Sequence, residues 1–370
     1  MTNKNLLLEV KGLKTYFYLD EGTVRAVDGV DFSIERGKTL CVVGESGCGK
    51  SVTARSIMQI VDPPGRIIEG EMLFHRINQD SGSSEQEEII DLAKINPRAE
   101  AIRKIRGKEI AMIFQEPMTS LSPVHTIGHQ ISQAITLHTT ATKAEAREQT
   151  IDVLRLVGIP RPETRVDTYP FQLSGGMRQR AMIAMALSCK PSLLIADEPT
   201  TALDVTTQAQ IIDLMIKLQQ ERGMAIQFIT HDMGVVAEIA DDVVVMYLGL
   251  IVERGPVDTI FHNPKHPYTQ ALLRSIPQIG PRVRQRLEVI KGMVPDPYNR
   301  PKGCPFHPRC LKRISGVCDQ ILPPKVELEP GHDVRCVLYD GSASHPVEGS
   351  ASHPVEGSAS HPVEGKGGSQ

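Results

Sequence analysis

Short apolar runs rich in β-branched residues recur at 39–44, 110–114, 193–197, 225–230 and 243–247, each closed by small or polar residues. Runs of this length read as buried strands. Helical periodicity fills the intervals, most clearly at 50–60, 143–157, 175–188 and 206–221. The alternation predicts an α/β domain built on a largely parallel sheet, expected over 6–265. At 78–96 the stretch NQDSGSSEQEEIIDLAKIN breaks the pattern, and its polar, acidic character predicts a surface insertion. Beyond Pro267 the periodicity weakens and Pro, Gly and Cys become frequent, which predicts a second, loop-rich domain over 266–339. The tail, 340–370, contains the octapeptide GSASHPVE three times and ends in GKGGSQ. So little apolar surface predicts disorder, with His345, His353 and His361 part of a solvated segment rather than a metal site.

Composition narrows the class. Hydrophobic residues make up 40% and charged residues 23% of the 370-residue chain, as in soluble globular proteins, and the longest apolar stretch, 243–252, is half a membrane span. The N-terminus has no apolar core of signal-peptide length, so the expected location is the cytoplasm. Net charge is −3, from 41 basic and 44 acidic residues, which leaves little basis for nucleic-acid binding. The run RVRQR at 282–286 reads as a solvated face. Of seven cysteines, Cys304, Cys310, Cys318 and Cys336 crowd into one Pro-rich stretch, which in a cytosolic chain suggests metal more than disulfides.

Three motifs carry chemistry. GESGCGKS, 44–51, lies between a predicted strand and a predicted helix, the setting of a phosphate-binding loop. Gly44, Gly47 and Gly49 let the backbone wrap round phosphates, with Glu45, Ser46 and Cys48 completing the loop. Lys50 reaches the β/γ oxygens and Ser51 can ligate Mg²⁺. LLIADEP, 193–199, ends a strand in two carboxylates: Asp197 suits the Mg²⁺ shell and Glu198 can polarise an attacking water. LSGGMRQ, 173–179, opens a helix with Ser174 at the N-cap position and Gly175 and Gly176 baring backbone N–H groups, a second anion site. Since the first loop already surrounds one triphosphate, the second implies an ATP held mainly by another subunit.

With these motifs in order, the chain resembles the ATP-binding subunits of ABC transporters, over nearly all of 6–265. The resemblance implies an α/β P-loop NTPase of the ABC type, with Mg²⁺ and ATP as ligands. Phe17, or neighbouring Tyr16, resembles the aromatic residue that stacks on adenine. Gln115 resembles the glutamine that senses Mg²⁺ and water. Ser174, Gly175, Gly176 and Gln179 resemble the signature, Ala202, Leu203 and Asp204 the segment crossing the dimer interface, and His231 the histidine at the γ-phosphate. The implied catalytic set is Glu198, His231 and Gln115.

FHNPKHPYTQALLRSIP, 261–277, the Pro-rich RPKGCPFHPRC and the EPMTSLSP stretch after Gln115 resemble the dipeptide and oligopeptide importers. That resemblance implies peptide import, with two integral membrane permease subunits, a second ATPase chain, an extracytoplasmic peptide-binding protein and a peripheral place on the cytoplasmic face of the inner membrane. Importers of nickel, glutathione or other small solutes, and a soluble ABC-type ATPase, are the alternatives. Some members of the peptide group carry an iron–sulfur cluster at matching cysteines, which implies 4Fe–4S at Cys304, Cys310, Cys318 and Cys336. Zinc, with His307 or His332 as substitute ligand, and no metal remain open, because the spacing is not that of paired C-x-x-C motifs.

Overall fold

A computed structural model describes residues 5–78, 86–115, 120–201, 203–276 and 290–341. Ala202, the first residues of the EPMTSLSP stretch, the basic run at 282–286 and the repeats from 342 onward lie outside the described residues. The strands are β1 (Leu6–Leu19), β2 (Gly22–Glu35), β3 (Thr39–Val43), β4 (Gly65–Asn78), β5 (Gln86–Asp91), β6 (Ile110–Ile113), β7 (Leu193–Asp197), β8 (Ala225–Thr230), β9 (Asp242–Tyr247), β10 (Leu250–Pro256), β11 (Val326–Glu329) and β12 (His332–Val334).

The five apolar runs form the parallel centre of the larger sheet, in the order β9-β3-β8-β7-β6. Every residue of β3, β6, β7 and β8 is buried, which is why these runs are apolar throughout instead of alternating. Helices Lys143–Leu156, Gly175–Leu187 and Val205–Arg222 stand within two residues of the sequence expectation. From the β9 edge the sheet continues antiparallel through β10, β12 and β11. The Cys-rich segment thus completes the core sheet, with Glu253 opposite Val334. Glu253 is fully buried, and its carboxylate accepts from the backbone N–H groups of Lys265 (2.7 Å) and His266 (2.9 Å) and bonds His332 Nε2 (2.9 Å). This junction fastens the extension to the core sheet.

The second sheet, β2-β1-β4-β5, is antiparallel. Its β1 and β2 are not legible as strands in the sequence because bulges at Val10/Leu13 and Thr15/Tyr16 shift the in/out register along their length. Part of the acidic stretch expected as an insertion is the edge strand β5. Its charges are engaged, Glu87 with His75 Nδ1 at 2.7 Å and Glu88 with Arg76 at 3.1 Å, and a charged edge resists pairing with other chains. Between the sheets lies helix Lys50–Ile57, whose Ala54 and Ile57 are buried among Leu8, Leu13 and Leu40 and whose Ser56 bonds Thr15 at 2.8 Å. Both sheets therefore fix the helix that opens at the phosphate loop.

Candidate active site

The phosphate loop turns on glycines with φ values that side chains rarely adopt: +151° at Gly44, +78° at Gly47 and +104° at Gly49. A Cβ on Gly44 would strike the Met246 carbonyl oxygen and one on Gly49 that of Ala26, so strands β9 and β2 hold the loop from two sides. Lys50 is buried and donates to the carbonyls of Gly44 (2.8 Å) and Glu45 (3.1 Å), folded across the loop it would share with a phosphate. Ser46 is exposed at the loop surface. The Cys48 thiol is buried, and burial pushes it up, so it packs as a small residue and not as a nucleophile.

At the end of β7 the two expected carboxylates diverge in environment. Asp197 is buried and accepts from Ser51 Oγ at 2.8 Å. Burial pushes its carboxyl up, an effect the Ser51 hydroxyl partly offsets. A hydroxyl and a desolvated carboxylate converging beside the phosphate loop are hard oxygen donors, and the pair fits Mg²⁺. Glu198 sits at φ +46°, unusual for a residue with a side chain. Its N–H donates to Ile229 (3.0 Å), and its carboxylate accepts from Gln115 Nε2 (3.1 Å) and Thr201 Oγ1 (3.1 Å), with His231 Nδ1 at 3.6 Å. The structure thus brings Glu198, Gln115 and His231 together across 116 residues of chain (231 − 115), and adds Thr201. Thr201 carried no distinguishing signal in the sequence.

The signature sits away from the phosphate loop, which follows β3. Ser174 Oγ accepts from the Met177 N–H (3.3 Å) and caps the helix Gly175–Leu187, which contacts β6. β6 is three strand positions from β3, roughly 14 Å along the sheet at about 4.8 Å per strand. Ser174 and Gly175 are exposed, while a Cβ on Gly176 would approach Thr207 Cγ2 to 2.9 Å. Asp204 caps the next helix through Thr207, at 3.0 Å to its N–H and 2.7 Å to its hydroxyl, so signature and dimer-segment motifs share one surface. Gln179 is buried and its amide donates to the Pro199 carbonyl, tying the signature helix to the Glu198 turn. Of the aromatic candidates, Phe17 lies over Gly65, 2.6 Å from where a Cβ would stand. Tyr16 instead lines an open cleft of about 700 Å³ with Tyr18, Arg25, Tyr298 and Arg300. Arg25 and Arg300 also line the small pocket at Gly47, so this cleft adjoins the phosphate loop.

Residues 27–201 match the ABC transporter family, and 252–318 match the oligopeptide/dipeptide transporter C-terminal region. The oligopeptide transport ATP-binding protein AppD of Bacillus subtilis is 49% identical, over 90% of this chain and 97% of its own. The chain belongs to the ABC transporter family. The dipeptide transport ATP-binding protein DppD of Haemophilus influenzae is 46% identical, over 92% of this ABC protein and 98% of its own length. A dimeric bacterial ABC transporter cassette superposes with a TM-score of 0.57 at 25% identity, over 68% of this chain and 99% of that one. Membership makes the chain an ABC ATPase.

The extension of this ABC protein carries the cysteine tetrad. Cys304, Cys318 and Cys336 are buried and Cys310 half-buried, all four as free thiols. Burial and the neighbouring cysteines push Cys304 up to about 12 and Cys336 up to about 11. Backbone N–H groups point at the sulfurs: Phe306 at Cys304, Lys312 at Cys310, Leu338 at Cys336, and Ile314 at Cys318 with 3.3 Å. Among the described residues, however, no three His, Cys, Asp or Glu side chains are grouped so as to hold a metal ion. His332, a possible substitute ligand, is engaged with Glu253, while His307 Nδ1 lies 2.9 Å from the Cys304 carbonyl. No helix among the described residues is long and apolar enough to cross a membrane.

Proposed function

We propose that this chain hydrolyses ATP to energise the import of dipeptides or oligopeptides. It works at the cytoplasmic face of the inner membrane with two permease subunits, a second ATPase chain and an extracytoplasmic peptide-binding protein. The observation that carries this reading is the near-half identity to AppD running through both the ATPase core and the extension. Lys50 and the loop N–H groups bind the triphosphate; Ser51 and Asp197 would hold Mg²⁺, which when bound neutralises phosphate charge. Glu198 accepts the proton of the water that attacks the γ-phosphorus, the bond to the ADP oxygen breaks, and ADP and phosphate leave. Gln115 and Thr201 orient the Glu198 carboxylate, and His231 stands open beside it for the γ-phosphate. Ser174 and its helix N-terminus face the nucleotide held by the second ATPase chain, and Tyr16 is favoured over Phe17 for the adenine. Affinity purification from gently solubilised membranes should bring two polytopic proteins with this chain, and its ATPase should rise when short peptides and the binding protein are supplied. A chain that stays soluble with a peptide-indifferent ATPase would overturn the reading.

The tetrad Cys304, Cys310, Cys318 and Cys336 would hold a 4Fe–4S cluster as a staple of the Pro-rich extension. Its support is the set of backbone N–H groups aimed at the sulfurs, which favour thiolate ligands. Anaerobically purified protein should contain about four irons and four acid-labile sulfides per chain, and Cys318→Ser should lose most of both. Metal-free wild type, or stoichiometric zinc, would refute the assignment.

A further inference from the structure

The second residue of the phosphate loop, Glu45, introduces a negative charge where a polyanion binds. Its carboxylate is gripped in bidentate fashion by Arg309, Nη1 to Oε2 at 2.5 Å and Nη2 to Oε1 at 3.0 Å. The Arg309 side chain is only 4% exposed and that of Glu45 28%, so the pair is partly shielded from solvent. Its Nε donates to the Lys291 carbonyl at 3.3 Å, and Nη1 reaches Tyr247 Oη at 3.4 Å. A second contact from the same region fixes the backbone: the Glu45 N–H donates to Tyr268 Oη at 2.9 Å. Tyr268 is fully buried in an aromatic cluster, with ring centroids 4.8 Å from Tyr247 and 5.3 Å from Phe306. The loop therefore rests on a platform made by β9, helix Pro267–Arg274 and the Cys-rich extension.

We infer that Arg309 is a positioning residue of the ATP site: by neutralising Glu45 and holding it down on the Tyr247–Tyr268–Phe306 platform, the extension makes the phosphate loop competent for a triphosphate. The inference rests on the ATPase reading and adds a role for the extension inside the nucleotide site. Two physical effects act together. Without the guanidinium, a partly buried carboxylate would face the β/γ phosphates and repel them. It would also be free to swing into the loop and take the loop N–H groups for itself. Hydrogen bonds to Glu45 hold the Arg309 guanidinium firmly protonated. The platform also explains how the segment around the cysteines can act on the nucleotide: Arg309 immediately precedes Cys310.

The test is Mg·ATP affinity and steady-state ATPase on the full chain, with folding checked by thermal melting. Arg309→Met should weaken ATP binding by about tenfold or more and raise KM correspondingly, with kcat changed less than threefold, because Glu198 and its partners are untouched. Adding Glu45→Gln to Arg309→Met should restore affinity to within about threefold of wild type. A packing role for Arg309 would not respond to the loss of a charge on its partner. Unchanged affinity in Arg309→Met, or a double variant no better than the single one, would overturn the inference. Should Arg309→Met fail to fold, the double variant decides alone: a tenfold loss of affinity there refutes charge neutralisation. Wild-type protein that binds no Mg·ATP would instead refute the ATPase reading itself.

Discussion

Glu198→Gln should bind Mg·ATP as tightly as wild type while its turnover falls by about 10²–10⁴-fold, the range for loss of a positioned general base. The substitution is nearly isosteric. The amide that replaces the carboxylate keeps an oxygen for the Gln115 and Thr201 donors, so the turn and its φ of +46° survive. What disappears is the site that takes the water proton. Lys50, Ser51 and Asp197 are separate side chains, so the triphosphate still finds its full set of contacts. Single-turnover hydrolysis together with equilibrium ATP binding measures both quantities. Wild-type turnover in this variant would remove Glu198 from the mechanism, and lost binding would assign it to the phosphate site.

Gly49→Ala should be far more damaging than Gly47→Ala, although both glycines lie in the same loop at positive φ. At Gly47 nothing lies within 4 Å of an added Cβ, so the expected loss is the left-handed penalty, about 1–2 kcal/mol. At Gly49 the added carbon meets the carbonyl oxygen of Ala26, a backbone atom of β2 fixed in a sheet. Overpacking of about 1–3 kcal/mol adds to the same conformational penalty, so the total approaches about 2–5 kcal/mol. The strain falls where helix Lys50–Ile57 begins, and ATP binding should be lost in Gly49→Ala even where the protein still folds. Thermal melts and ATP titrations of the two variants check this. Equal losses would mean that β2 yields to the loop.

The pair illustrates what could be read from the chain alone. That residue 49 must be glycine follows from the motif, because a loop that wraps phosphate needs φ values closed to other residues. Why it tolerates substitution less than residue 47 depends on Ala26, which no local pattern connects to it.

The sequence by itself determined the parallel centre of the main sheet, since strands buried on both faces must be apolar throughout and therefore stand out. It also determined the phosphate loop, the Asp197–Glu198 pair and the signature, because their chemistry resides in consecutive residues whose local backbone creates the site. The tertiary structure decided whatever depends on residues far apart in the chain. It drew Gln115, Thr201 and His231 onto Glu198, turned Tyr16 rather than Phe17 toward the cleft beside Gly47, and engaged Gln179 with Pro199. It also built β11 and β12 into the core sheet and set Arg309 on Glu45 across 264 residues of sequence. The physical reason is common to these cases: a hydrogen bond or ion pair depends on atoms meeting within a few ångströms, and a single arginine in a Pro-rich segment carries no periodicity that names its partner.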